Sequence, residues 1–192
     1  MIRSLPLQLW RSLRLTIVLA VFAGLVYTYA ITGVAQVIFP NQAGGSLVTR
    51  NGQVVGSSLI AQQFKSDRYF HPRPSANGYA ADNSAGSNLA PSNQALIDRV
   101  ASSARTAQAT ETVPAGGVPV DYATTDFSGF DPDVTEATAL IQVDRVAKAR
   151  GIDSARVRAL VESHVQGRIL WVFGEPHVNV LELNLALDDG RY

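Results

Sequence analysis

The sequence predicts a single N-terminal transmembrane helix followed by one α+β extracytoplasmic domain. Three observations carry that reading. Residues 15–39 run for 25 positions without a charge. At 1.5 Å per residue this is roughly 37 Å of helix, enough to cross a hydrocarbon core about 30 Å thick with some tilt. The tail before the run, residues 1–14, carries Arg3, Arg11 and Arg14 and no acid, and the next basic residue is Arg50. That asymmetry places the tail in the cytoplasm and the rest of the chain outside. Residues 41–192 then mix strand, loop and helix patterns over 152 positions, near the usual size of one domain.

A cleaved signal peptide is the competing reading of the apolar run. Its apolar core spans about 7–15 residues and ends in a small-x-small site. The present run is longer, and Tyr27, Tyr29 and Gln36 interrupt any such site. The expected division is therefore a cytoplasmic tail 1–14, a transmembrane helix 15–39 and an outer domain 41–192.

The chain has no cysteine. A domain of this length can bury about 68–70% of its unfolded surface and needs no covalent staple, and an outer domain without disulfides fits a bacterial envelope. All 16 acidic residues follow residue 40, against 13 of the 16 basic ones, so the outer domain carries 13 − 16 = −3 and the tail +3. A negative domain without a basic stripe disfavours nucleic acid as a partner.

Along the outer domain, Leu47–Arg50 and residues 53–55 flank Asn51-Gly52, whose two residues tolerate positive φ and so predict a tight β-hairpin. Residues 71–92 hold 12 Pro, Gly, Ser or Asn in 22 positions, the chemistry of a long loop. A loop of that length in a compact domain is usually functional or disordered. Ser92 or Asn93 caps a helix running to about residue 109, with Leu96, Ile97 and Val100 on one face. Residues 110–120 form a second loop that feeds an extended segment. Asp133 or Thr135 caps a helix ending at Arg150-Gly151, where the glycine suits the C′ position. Asp153 caps a further helix through about Val165, with Val157, Leu160 and Val161 inward. Residues 178–187 are ambiguous. Leu181, Leu183, Leu185 and Leu187 alternate as in a strand, yet Asn179 followed by Glu182 resembles a capping box and the residues are strong helix formers. The balance favours helix.

Motifs for self-sufficient chemistry are missing. The only lysines, Lys65 and Lys148, follow no glycine-rich run, so no phosphate loop is present. His71, His164 and His177 are scattered without metal-ligand spacing. A GxSxG nucleophile elbow is absent as well. The expectation is no catalytic residue, no metal and no cofactor of its own.

Two constellations stand out. Ala20, Gly24, Thr28 and Thr32 recur every fourth residue on the apolar helix, and small residues let helix backbones approach closely in lipid. They are the candidate membrane-helix interface; the alternative is the ordinary abundance of small residues in such helices. The second is a docking or loop cluster comprising Gln62, Tyr69, Phe70, Arg73, Ser75, Ser87, Asn88 and Asn93. Arg73 between Pro72 and Pro74 has restricted backbone freedom and is pre-set to pair with a carboxylate or carbonyls. The alternative is that the same groups fasten the loop to itself.

The cluster belongs to a wider pattern. Gly45-Ser46-Leu47, Gly56-Ser57, Gln62, Tyr69-Phe70, Arg73-Pro74-Ser75, Gly86-Ser87-Asn88-Leu89, Asp131-Pro132, Arg145-Val146-Ala147, Gly174-Glu175-Pro176 and Val178-Asn179-Val180-Leu181 through Leu187 follow one another in order. In that order and spacing the chain resembles the C subunit of the bacterial Kdp potassium-transporting ATPase, nearly end to end. Ala61 and Ala85 stand where that family usually has glycine, and Phe130 where it has leucine.

The resemblance implies a non-catalytic accessory subunit of a high-affinity potassium uptake pump in the bacterial cytoplasmic membrane. Its partners would be a channel-like potassium-translocating subunit and a P-type ATP-hydrolysing subunit. The role commonly given to the family is a catalytic chaperone that raises the ATP affinity of the hydrolysing subunit. With the large domain outside, ATP would act only through the complex, coupled by helix packing. The alternative from another class is a membrane-anchored ligand-binding or sensor module reading a small molecule in the 71–93 loop.

Overall fold

The computed structural model describes residues 5–114 and 116–192; Arg3 lies outside them. The chain divides into two compact units, Met1–Leu47 and Val48–Tyr192. The first is one long apolar helix, Leu5–Ile38, long and apolar enough to cross a membrane. It begins ten residues before the charge-free run, so Arg11 and Arg14 ride on its first turns. An α-helical part α1 (Leu5–Val21) passes through a π-helical stretch at Phe22–Tyr27 into α2 (Thr28–Ile38). Pro40 opens a single further turn, α3 (Pro40–Ala43), where its missing N–H costs nothing.

The predicted hairpin follows, β1 (Leu47–Arg50) and β2 (Gln53–Ser57). Asn51 and Gly52 have φ of 52° and 78°, the pair of positive values that the two-residue turn demands. No helix or strand interrupts the chain from residue 58 to Asn93. The Asn93 side chain accepts from the Ala95 amide and starts α4 (Gln94–Glu111). Leu96 and Val100 are half-buried, but Ile97 is exposed. The extended segment expected after residue 120 is instead a helical turn, α5 (Val120–Ala123), opened by Pro119.

Thr135 caps the next helix, as one of the two expected residues, but that helix is broken. It forms α6 (Glu136–Ile141) and α7 (Val143–Arg150), with Gln142 at the joint. Gly151, at φ 70°, closes α7 in the left-handed conformation. Asp153 caps α8 (Ser154–Ser163), two residues shorter than expected, and Val157, Leu160 and Val161 are buried. At the C-terminus β4 (His177–Asn179) pairs antiparallel with β3 (Asp133–Thr135), Val134 opposite Val178. Asn179 then caps α9 (Val180–Asp188). The helical reading holds because Val180, Leu183, Asn184 and Leu187 form an i, i+3, i+4, i+7 stripe, all buried. The core gathers that stripe with Phe70, Val134, Val143, Val146, Val157 and Val161. The main body is thus a helical layer around two short strands, with the long 58–93 segment laid over it.

Candidate functional site

A segment of 36 residues without regular structure must find partners for its backbone polar groups elsewhere. Here buried side-chain amides supply them. Phe70 is fully buried; its N–H donates to Asn184 Oδ1 at 2.8 Å, and its carbonyl accepts from Asn184 Nδ2 at 2.9 Å. The next residue repeats the pattern. The His71 N–H donates to Gln142 Oε1 at 2.7 Å and its carbonyl accepts from Gln142 Nε2 at 3.1 Å. Two amide side chains thus take the place that a neighbouring strand would fill. Gln142 stands at the α6–α7 joint.

Arg145 extends this clamp. Its Nε lies 3.0 Å from both carboxylate oxygens of Glu111, its Nη1 donates to the carbonyls of Asp67 and Tyr69, and its Nη2 donates to Gln142 Oε1. Tyr122 donates to the same Glu111 carboxylate at 2.7 Å, and burial together with that charge pushes the phenol well above its usual value. Burial, then the Arg145 charge, hold the His71 imidazole below its ordinary 6.5. One turn on, Arg150 donates to the Arg68 carbonyl and to Asp188, and its guanidinium lies 4.9 Å from the Tyr69 ring centre. Tyr69 also donates to Asp188 at 3.1 Å. Burial raises the Asp188 carboxyl, but bonds from Arg150 and Tyr69 and the charges of Arg150 and Arg50 outweigh it, and the net direction is down.

Arg73 and Ser75 belong to a second arm, fastened to residues 126–131. Arg73 Nη1 pairs with Asp131 at 3.1 Å, while the Arg73 carbonyl accepts from Tyr79 at 2.8 Å. Ser75 Oγ sits 2.6 Å from the Gly129 carbonyl and accepts from the Tyr79 N–H. Gly129 has φ 84°, and a Cβ there would collide with the Asn77 side chain. Ser87 and Asn88 line a cavity of about 300 Å³ with Arg73, Leu96, Asp126 and Phe127. Two buried atoms of those residues, Arg73 Nε and Asp126 Oδ1, lack a hydrogen-bond partner. Burial and then the Asp126 charge push the nearby Tyr79 phenol up to about 12. The backbone amides of Ala61 and Ala85 donate to the carbonyls of Phe130 and Ser128 and help tie this arm down.

The candidate cluster is therefore divided. Tyr69 and Phe70 belong to the first arm, and Arg73, Ser75, Ser87 and Asn88 to the second. Gln62 fastens the hairpin, donating to the Val55 carbonyl at 2.9 Å and filling the space over Gly56. Asn93 serves as the α4 cap on an exposed surface. The amides and charges beneath the first arm, Gln142, Asn184, Glu111 and Asp188, were not singled out by sequence reasoning. Arg145 and Asn184 lay within the family pattern, but nothing in their spacing marked them as loop anchors.

On the long helix, Ala20, Gly24, Thr28 and Thr32 are exposed in the single chain, and a Cβ on Gly24 would meet nothing within 4 Å. Thr28 donates to the Ala23 carbonyl five residues back and Thr32 to the Thr28 carbonyl. Both hydroxyls are thus satisfied inside the helix, as a lipid environment requires.

Comparison with known proteins matches this architecture to one family. Residues 9–189 match the profile described as KdpC: K+-transporting ATPase, c chain. The chain is 51% identical over 187 residues to the potassium-transporting ATPase KdpC subunit of Rhodospirillum rubrum, covering 93% of this chain and 96% of that protein. It is 50% identical over 191 residues to the subunit of the same name from Rhodopseudomonas palustris, covering 92% and 95%. The subunit of Acidobacterium capsulatum is 54% identical over 175 residues, covering 90% and 93%. The match takes in the apolar helix, the clamped segment and the β3–β4 core together, and the chain belongs to the KdpC family of K+-transporting ATPase subunits.

Proposed function

We propose that this chain is a non-catalytic accessory subunit that assembles and stabilises a high-affinity potassium pump. The observation that carries the reading is the use to which the outer domain puts its polar side chains. Arg73, Arg145 and Arg150 are each paired with a carboxylate, and with Gln142 and Asn184 they fasten the 58–93 segment to the helices. Such a domain is a shaped, prefolded surface, and its chemistry is spent on its own rigidity. The small-residue stripe on the helix supplies a second surface, available to helices of the channel-like and ATP-hydrolysing subunits.

In this reading the N-terminus is cytoplasmic and the Val48–Tyr192 unit lies outside the bacterial inner membrane. Arg11 and Arg14 beside the apolar run favour that orientation. The chain then holds no ATP of its own. A chaperone effect on the ATP affinity of the hydrolysing subunit passes through helix packing, a coupling of about 1–3 kcal/mol. Co-purification from mild detergent tests the assembly role: both larger pump subunits come down stoichiometrically with the tagged chain. A C-terminal reporter fusion tests the orientation, being active only outside the cytoplasm. Recovery of the chain alone, or a cytoplasmic C-terminus, would overturn the corresponding part of the proposal.

A further inference from the structure

Between α8 and β4 the chain makes a narrow hairpin. Gln166 bridges to His177 and Ile169 to Phe173. The five residues at its tip, Ile169, Leu170, Trp171, Val172 and Phe173, are all apolar, and their exposure runs from 63% to 91%, Trp171 being the most exposed. Monomeric soluble surfaces rarely leave so contiguous an apolar group in water. We propose that this tip is a second membrane contact, inserted into the head-group region of the bilayer that holds the Leu5–Ile38 helix. The inference rests on the reading of that helix as an anchor.

Three features favour lipid over a protein socket. First, four of the tip's five backbone amides are paired within the hairpin. Ile169 N–H bonds to the Phe173 carbonyl, Trp171 N–H to Arg168, and the amides of Val172 and Phe173 to Ile169. Entry into a medium without water therefore leaves these donors paired, the condition that lipid imposes on any backbone. Leu170 and Trp171 take positive φ, 53° and 62°, to close this turn. Second, the stem is neutral. Arg168 and Glu175 pair at 2.5 Å on the exposed flanks, so the tip carries an apolar crown above a self-compensated ion pair. Bulky aromatic and aliphatic side chains on a polar base suit the interfacial zone, where tryptophan is enriched. Third, the tether is short. Ile38 ends the anchor and Val48 begins the domain, and the nine residues between span about 30 Å at most. A fluid bilayer can surround an exposed apolar tip of this kind on every side.

Trp10 and Trp171 are the only tryptophans, so the full-length Trp10→Phe chain reports on the tip alone. It is reconstituted in zwitterionic phosphatidylcholine vesicles, and anchor insertion is read separately by co-flotation. Trp171 emission should shift to the blue. It should be quenched more by a nitroxide near the lipid carbonyls than by one at the chain ends, since interfacial groups sit about 5–10 Å into the head-group boundary. Adding Val172→Asp, at an exposed position that leaves the thermal midpoint unchanged, should return the emission to the red and abolish the lipid quenching. Val172→Leu should preserve both. Flotation with water-exposed Trp171 overturns this proposal alone, and failure to float overturns the anchor reading and the proposal together. A blue shift without lipid quenching points to burial against a second copy and also overturns it, as does quenching that survives Val172→Asp.

Discussion

The side chains that matter most in the Val48–Tyr192 unit are polar and buried, and their environments rank their effects. Glu111 has a fully buried side chain and Arg145 is 8% exposed, whereas Arg50 is 36% exposed beside Asp188 and Asp189. Removing one partner of a buried pair strands a charge away from water, at a cost of about 3–5 kcal/mol, while an exposed pair contributes about 0–1 kcal/mol. Glu111→Ala should therefore lower the stability of the chain by several kcal/mol in urea titration, and Arg50→Ala by no more than about 1 kcal/mol. Equal losses would mean that the Arg145 network is not the clamp. His71 adds a pH dependence whose sign is fixed by its lowered value. Between that lowered value and 6.5, the unfolded chain binds a proton that the folded chain refuses, so stability rises with pH through this window. Its contribution is complete above 6.5 and is lost as pH falls below it. His71→Gln should flatten the stability profile just below pH 6.5, measured as the urea midpoint, and an unchanged profile would remove His71 as its source.

At the scale of elements, the apolar helix is more than a hydrophobic rod. Residues four apart drift steadily around a 3.6-residue helix, and the π-helical stretch at Phe22–Tyr27 takes up an extra residue that counters the drift. Ala20, Gly24, Thr28 and Thr32 are thereby kept closer to one line. Gly24→Leu places bulk on that line where the chain itself offers no obstruction. Recovery of the pump complex should fall while membrane insertion persists, whereas Leu19→Phe should be mild. Similar losses from both would remove the case for a packed face. The legibility of the other elements follows the range of their causes. The Asn51-Gly52 hairpin and the caps at Asn93, Asp153 and Asn179 depend on neighbours within four residues, and the sequence displays them. The role of Gln142 at the α6–α7 joint is not local: its amide serves the His71 backbone, 71 residues away. Separations of 114 residues for Asn184 and of 76 and 78 for Arg145 hide their roles in the same way. Arg73 shows the middle case: its bracketing prolines announce a fixed cation, but only the fold identifies Asp131 as its partner.

For the whole molecule, the question is whether ATP ever meets this chain directly. Phosphates need converging amides or basic side chains. Here six of the 13 basic residues after residue 40, Arg50, Arg73, Arg145, Arg150, Arg168 and Arg191, each stand against an acidic residue, and residues 41–192 carry a net −3. The amides of Ala61 and Ala85 are already bonded to the carbonyls of Phe130 and Ser128. The full-length chain in detergent should accordingly show no ATP-dependent thermal shift at millimolar nucleotide with magnesium. The measurement is sensitive, because ligand at about 100 times its dissociation constant adds about 2.7 kcal/mol. For a domain of this size that corresponds to a rise of about 5–10 °C. The assembled pump, by contrast, should shift with ATP through its hydrolysing subunit, and loss of the present chain should weaken that response. A saturable shift in the isolated chain would place nucleotide on this subunit and overturn coupling through helix packing.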